Sequence, residues 1–207
     1  MSKVDISNRY LEEEEVRTNK LPYFDYFQCV DKTFSSISSF CDIGCATGHL
    51  IYFLKTKYPS IDVKGYEYFA YHKDSTFCES NIKNNIEIYD IRDSLPDSVP
   101  MYDVVNCTEV AEHIEAAYAD TLIENAKKLS KKYIIFTWSS HGGDQHPESD
   151  PHHQHLNPLS RQVYIDLMKK HGLRENIELT NRFLQLSYTM PHFYFWWRES
   201  FIVWEKI

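Results

Sequence analysis

Short β-branched runs alternate with stretches of helical spacing along most of the chain. A strand-like run over residues 37–43 ends at glycines, and Leu50, Ile51, Phe53, Leu54 and Tyr58 then recur at helical spacing until Pro59. The alternation predicts a strand over 61–67, a helix over about 69–80, a strand over 86–89 and another over 102–108. Leu122, Ile123, Ala126 and Leu129 mark a further helical face, followed by a strand over 133–138. Asn157-Pro158 reads as a helix start, a capping side chain before a residue with no amide to lose. Leu159, Val163, Tyr164, Leu167 and Met168 then form its buried face, and Gly172 ends it. Two last β-rich runs, 177–188 and 200–206, show no helix between them and are expected to pair antiparallel.

This order predicts an α/β fold: an open, mostly parallel sheet with helices on both faces. Residues 1–35 read as a helix-and-loop cap and 36–207 as the main domain. In such sheets ligands bind beyond the carboxyl ends of the strands, where the strand order reverses. A length of 207 residues suits one domain, and 43% hydrophobic with 25% charged residues excludes disorder as the main state. No run of eighteen apolar residues exists to span a bilayer. The N-terminus lacks the apolar core of a secretory signal, and the five cysteines form no CxxC pair, so a reducing, cytoplasmic setting is expected. The net charge of −8 disfavours a nucleic-acid partner. The cluster Lys127, Lys128, Lys131 and Lys132 reads as a solvated helix end. Nothing in the pattern sets an oligomeric state.

The chemistry gathers at strand ends. After the first strand comes Asp42-Ile43-Gly44-Cys45-Ala46-Thr47-Gly48. Small residues at 44, 46 and 48 allow close approach to the backbone, and the helix start behind them offers free amides. Taken alone this is equally a strand–helix turn without a ligand. Glu67 ends the second strand, where a carboxylate can accept both hydroxyl hydrogens of a ribose. Asp90-Ile91 follows the third, with Asp90 placed to accept from an exocyclic amine and Ile91 to lie against a ring. On these residues the sequence resembles the class I S-adenosylmethionine-dependent methyltransferases over about residues 36–138, more weakly to 172. The resemblance implies a Rossmann-like, seven-stranded sheet with one antiparallel strand, and S-adenosylmethionine as cofactor. It implies that Gly44, Ala46 and Gly48 face the methionine part, Glu67 the ribose, and Asp90 with Ile91 the adenine. Asp42 would hold the loop or the amino group, with Cys45 and Thr108 beside the same ligand. Ala46 departs from the family pattern by replacing the middle glycine.

The fourth strand ends in Thr108-Glu109-Val110-Ala111-Glu112-His113-Ile114. If 109–113 is a helical turn, Glu109, Glu112 and His113 share a face and form part of a divalent-ion site. A loop with His141, His146, His152, His153 and His155 follows the fifth strand; it is a polar lid or a source of ligands. The Glu-x-x-Glu-His run resembles those of ubiquinone-pathway O-methyltransferases and small-RNA 2′-O-methyltransferases, which implies His155 as the completing ligand. Without a metal, His113 or His155 can serve as general base. Phe193-Tyr194-Phe195-Trp196-Trp197 is core packing or a stacking wall. Glu12 to Glu15 reads as a solvated face, and Tyr10, Tyr23 and Phe24 as candidates to fold over the cofactor. The expected activity is O-methylation of a small-molecule or glycan-like acceptor. A metal-dependent RNA 2′-O-methyltransferase and an inactive cofactor-binding scaffold stand as alternatives.

Overall fold

In the computed structural model, which describes residues 21–34, 36–75, 78–140, 155–193 and 195–207, the strands are β1 (Ser39–Ile43), β2 (Asp62–Glu67), β3 (Ile86–Ile88), β4 (Tyr102–Cys107), β5 (Ser130–Phe136), β6 (Leu173–Glu175) and β7 (Ile202–Lys206). They form one sheet in the order β3-β2-β1-β4-β5-β7-β6. All pairs are parallel except the two made by β7. The helices are α1 (Leu21–Thr33), α2 (His49–Lys57), α3 (Ala70–Asp74), α4 (Ala119–Leu129), α5 (Arg161–Lys170), α6 (Ile177–Tyr188) and α7 (Phe195–Ser200).

Successive strand residues feed opposite faces, as the pleat requires. Cys41, Ile43 and Val105 pack with Leu122, Ala126, Tyr164 and Met168 beneath α4 and α5. Phe40 and Val104 pack with Val30, Ile51, Leu54, Phe183 and Trp197 beneath α1, α2, α6 and α7. With both faces covered, β1 is buried throughout and β4 all but at Asp103, and each large apolar side chain removed from water contributes about 1.5–3 kcal/mol. No helix among the described residues is long and apolar enough to cross a membrane.

Several expectations change. Residues 177–188 are a helix: Asn176 Oδ1 accepts the Leu179 amide at 2.9 Å as N-cap, and Thr180, Phe183 and Ser187 face inward at helical spacing. Phe183 stacks on Phe201 at 3.6 Å, which anchors that helix to the sheet. The antiparallel partners of β7 are instead β5 and the short β6, and α7 separates α6 from β7. The helix expected over 69–80 is only α3, since Ser75 leaves the helical region at its end. The helix expected after Asn157 starts at Arg161, and its Val163 is exposed. Phe193 and Trp197 are buried core residues; the side chains of residues 23, 195 and 196, and residue 194, lie outside the described set.

Candidate active site

The strand order reverses between β1 and β4, and in open α/β sheets ligands bind beyond the carboxyl ends at such a reversal. There the chain turns through Gly44, Ala46 and Gly48 at φ of 70, 47 and 78°. A Cβ on Gly44 would stand 2.3 Å from Val110 Cγ2, and one on Gly48 2.7 Å from Ile82 Cδ1. Glycine is required at both places by space as well as by backbone conformation. Ala46 adopts the left-handed region despite its Cβ, at a cost of about 1–2 kcal/mol. Its amide donates to Glu67 Oε2 at 2.8 Å, while the Phe69 amide donates to Oε1 at 2.9 Å. The Glu67 carboxylate is 5% exposed and faces the loop, with His72 Nδ1 3.3 Å from Oε1. Cys45 packs its thiol toward Gly65, so it offers a ligand its backbone.

On the β1–β4 seam, Asp42 and Asn106 are register partners, and Asn106 Nδ2 donates to Asp42 Oδ1 at 2.7 Å. Asn106 Oδ1 accepts from the Thr108 hydroxyl at 2.9 Å and from the Tyr26 hydroxyl at 2.7 Å. Burial raises Asp42 to a pKa of about 7, and the nearby Glu67 charge adds to the rise against the Asn106 hydrogen bond.

Beyond β3, Asp90 is engaged by Arg92: Nε donates to Oδ1 at 2.9 Å and Nη2 to Oδ2 at 3.0 Å. Arg92 Nη1 donates to both Glu115 oxygens, at 3.1 and 3.2 Å, and the guanidinium lies near the rings of Tyr68 and Tyr118. Ile91 is buried in the core, and its carbonyl accepts from Asn125 Nδ2 at 2.9 Å. Asp90 thus stands at the expected strand end but meets any ligand with its oxygens already shared.

The region after β4 separates the expected ligands. Only Ala111–His113 forms a helical turn, of 3-10 type, and Glu109 precedes it at φ 58°. That left-handed residue turns its carboxyl to the residue just after β5, where Thr137 Oγ1 donates to Oε1 at 3.1 Å. Glu112, His113 and His155 do come together, their ligand atoms all within 4.8 Å of one another. Asn157 explains the approach of His155: its amide donates to the Glu112 carbonyl at 3.0 Å, and its carbonyl accepts from Trp138 Nε1 at 2.7 Å. Glu112 is fully buried, and neither carboxylate oxygen has a hydrogen-bond partner among the described residues. Burial and the neighbouring Glu109 push its pKa well up. His141, His146, His152 and His153, like Tyr10 and Glu12 to Glu15, lie outside the described residues.

Three residues escaped the sequence reading: Tyr26, Asn106 and Arg92. Tyr26 left one signal, a hydroxyl on the apolar stripe it shares with Cys29 and Val30. Arg92 left another, a cation set between Asp90 and Asp93.

A family model described as a methyltransferase domain matches residues 24–179. Among solved structures, the chain is similar to an O-methyltransferase family protein from Burkholderia thailandensis, with 12% identity and a TM-score of 0.63, covering 96% of this chain and 59% of that one. It is also similar to the plantazolicin methyltransferase BpumL in complex with SAH, with 15% identity, a TM-score of 0.66 and coverage of 97% and 88%. A third is the O-methyltransferase from a trans-AT PKS multienzyme of Brevibacillus brevis in complex with S-adenosyl-L-homocysteine, with 18% identity, a TM-score of 0.57 and coverage of 85% and 60%. The chain therefore spans about three-fifths of the length of the Burkholderia and Brevibacillus chains. No curated protein matches it.

Proposed function

The chain belongs to the methyltransferase domain family, and from that premise we propose that it transfers a methyl group from S-adenosylmethionine to an oxygen of a small-molecule or glycan-like acceptor. The observation that carries this is Glu67, a buried carboxylate facing a loop of three left-handed residues at the strand-order reversal. In this reading Gly44, Cys45, Ala46 and Gly48 present backbone to the methionine part, and Glu67 accepts from the ribose hydroxyls. Asp90 and Ile91 border the adenine, and Asp42 with Thr108 faces the amino-acid end. Neighbours of the same fold hold the demethylated product of this cofactor.

Calorimetric titration with S-adenosylhomocysteine, after removal of copurified ligand, tests the reading; absence of heat and of any thermal shift would refute it. The titration should also depend on pH. Asp42 attracts the ligand's ammonium only as a carboxylate, and its pKa is about 7. Affinity should therefore rise with pH as the proton leaves, by up to about tenfold per unit between about pH 5.5 and 7. Affinity that stays flat over this range would remove Asp42 from the amino-acid end.

The sulfonium is already an electrophile, so the protein's task is alignment and removal of a hydroxyl proton. His113 or His155 serves as the base, the two imidazoles standing side by side beyond β4. The same cluster suits a divalent ion. Glu112 with two unpartnered oxygens beside two imidazoles is a donor set for ions such as manganese, cobalt or zinc. Glu112, His113 and His155 would hold the ion, with Glu109 outside the set. A bound ion would supply Lewis acidity that makes the acceptor hydroxyl easier to deprotonate.

Metal added to chelator-treated protein should raise the thermal midpoint. At a hundredfold excess over Kd the gain is about 2.7 kcal/mol, or about 5–10 °C for a chain of this size. Glu112→Gln should abolish the shift. No shift with magnesium, manganese, cobalt or zinc would leave the histidines as bases alone. The net charge of −8 supports a small acceptor over RNA ends, and five buried free thiols support a reducing, cytoplasmic setting.

A further inference from the structure

We propose that Tyr26, on the helix preceding the sheet, is a positioning residue for the amino-acid end of the cofactor, acting through the Asn106 side chain on Asp42. The proposal rests on the cofactor reading above. Packing alone does not call for a hydroxyl at this position. The Tyr26 ring lies among Phe27, Phe183, Phe193 and Trp197, and Cys29 and Val30 continue the same buried stripe. Phenylalanine would fill that space. The hydroxyl instead reaches across 80 residues of sequence to Asn106 Oδ1 at 2.7 Å, and lies 2.8 Å from Thr108 Oγ1.

Counting hydrogens shows what this triangle does. Tyr26 and Thr108 bring two hydroxyl hydrogens to three short contacts, Tyr26–Asn106, Thr108–Asn106 and Tyr26–Thr108. Two hydrogens cannot both lie between the two hydroxyls, so at least one is left to donate to Asn106 Oδ1, which stands within 2.9 Å of both. The oxygen of the amide is thereby held toward α1 and its NH2 toward Asp42, where Nδ2 meets Oδ1 at 2.7 Å. A flipped amide would set its oxygen against the Asp42 carboxylate and repel it. Burial holds the Tyr26 phenol well above its ordinary pKa, so it remains a donor at any working pH. Through this relay α1 orients the Asp42 carboxylate, near the carboxyl end of the β1–β4 seam.

The test compares two ligands in wild type and Tyr26→Phe. S-adenosylhomocysteine carries the amino-acid end; 5′-methylthioadenosine lacks it. Tyr26→Phe should weaken S-adenosylhomocysteine by about five- to tenfold, the range of one buried hydrogen bond, and leave 5′-methylthioadenosine unchanged. Equal weakening of both ligands, or of neither, would overturn the proposal, since a merely structural role cannot distinguish the two ends. Should wild type bind only S-adenosylhomocysteine, the loss in that ligand at an unchanged thermal midpoint decides the matter in favour, and no loss decides against. Wild type that binds neither ligand refutes the cofactor reading instead.

Discussion

Glu67→Gln should lose S-adenosylhomocysteine affinity by on the order of a hundredfold, nearly as much as Glu67→Ala. The substitution keeps size and shape, but it removes one of two acceptors. In the native site each carboxylate oxygen takes a backbone amide, Ala46 on Oε2 and Phe69 on Oε1. Glutamine has a single oxygen, and its NH2 would face an N–H that then has no acceptor. A buried donor left unpaired costs about 1–3 kcal/mol. The loss falls on the one non-glycine residue that the loop holds in the left-handed region, Ala46 at φ 47°. Released from Glu67, that residue gains about 1–2 kcal/mol by leaving the conformation, and the loop no longer presents its amides. On the proposed function the ribose loses its acceptor in the same step. Calorimetry and thermal unfolding read the two effects separately, and a Gln variant that binds within about threefold of wild type would show that the carboxylate is not the anchor.

Arg92→Met should lower stability by about 3 kcal/mol, and the thermal midpoint by about 6–12 °C. The Arg92 side chain is 4% exposed and joins Asp90 and Glu115, whose side chains are 19% and 20% exposed. Removing the cation leaves two largely buried carboxylates facing each other, and the estimate stands at the lower end for buried pairs because each keeps some contact with water. Arg92→Lys should recover little, because an ammonium cannot reproduce the fork that meets both Asp90 oxygens. The sign with pH follows. In the variant each carboxylate that has lost the cation has its native pKa raised above its unfolded value, so the stability deficit is smallest in acid and grows as pH rises through the carboxylate range. A triple variant with Asp90→Asn and Glu115→Gln should regain part of the loss. A deficit independent of pH would show that the guanidinium works by packing between Tyr68 and Tyr118 rather than by charge.

The parts of the site readable from the residues are those whose signal is local. Gly44 and Gly48 announce a loop that needs left-handed backbone, and the structure adds the reason in Val110 and Ile82. Glu67 and Asp90 are visible because each follows a short apolar run. Local cues mislead where they compete. Residues 177–188 are rich enough in branched and aromatic side chains to look like a strand, yet the Asn176 cap and the inward spacing of Thr180, Phe183 and Ser187 make them α6. In the Glu-x-x-Glu-His run, i and i+3 neighbourhood holds only within a continuous helical turn. Glu109 lies outside that turn at positive φ, so spacing alone overcounts the cluster by one carboxylate.

The alternation of strand and helix, the glycine turn and the charged strand ends follow from residue order by itself, because pleat, helix period and left-handed turns are properties of a few adjacent residues. What each polar group faces was decided only when distant segments met. Ala46 finds Glu67 across 21 residues, Arg92 finds Glu115 across 23, Asn157 brings His155 to Glu112, and Tyr26 reaches Asn106 across 80. Such partnerships exist because burial makes an unpaired polar group costly, so most find an acceptor or donor wherever the packed layers place one, and no local pattern encodes that place.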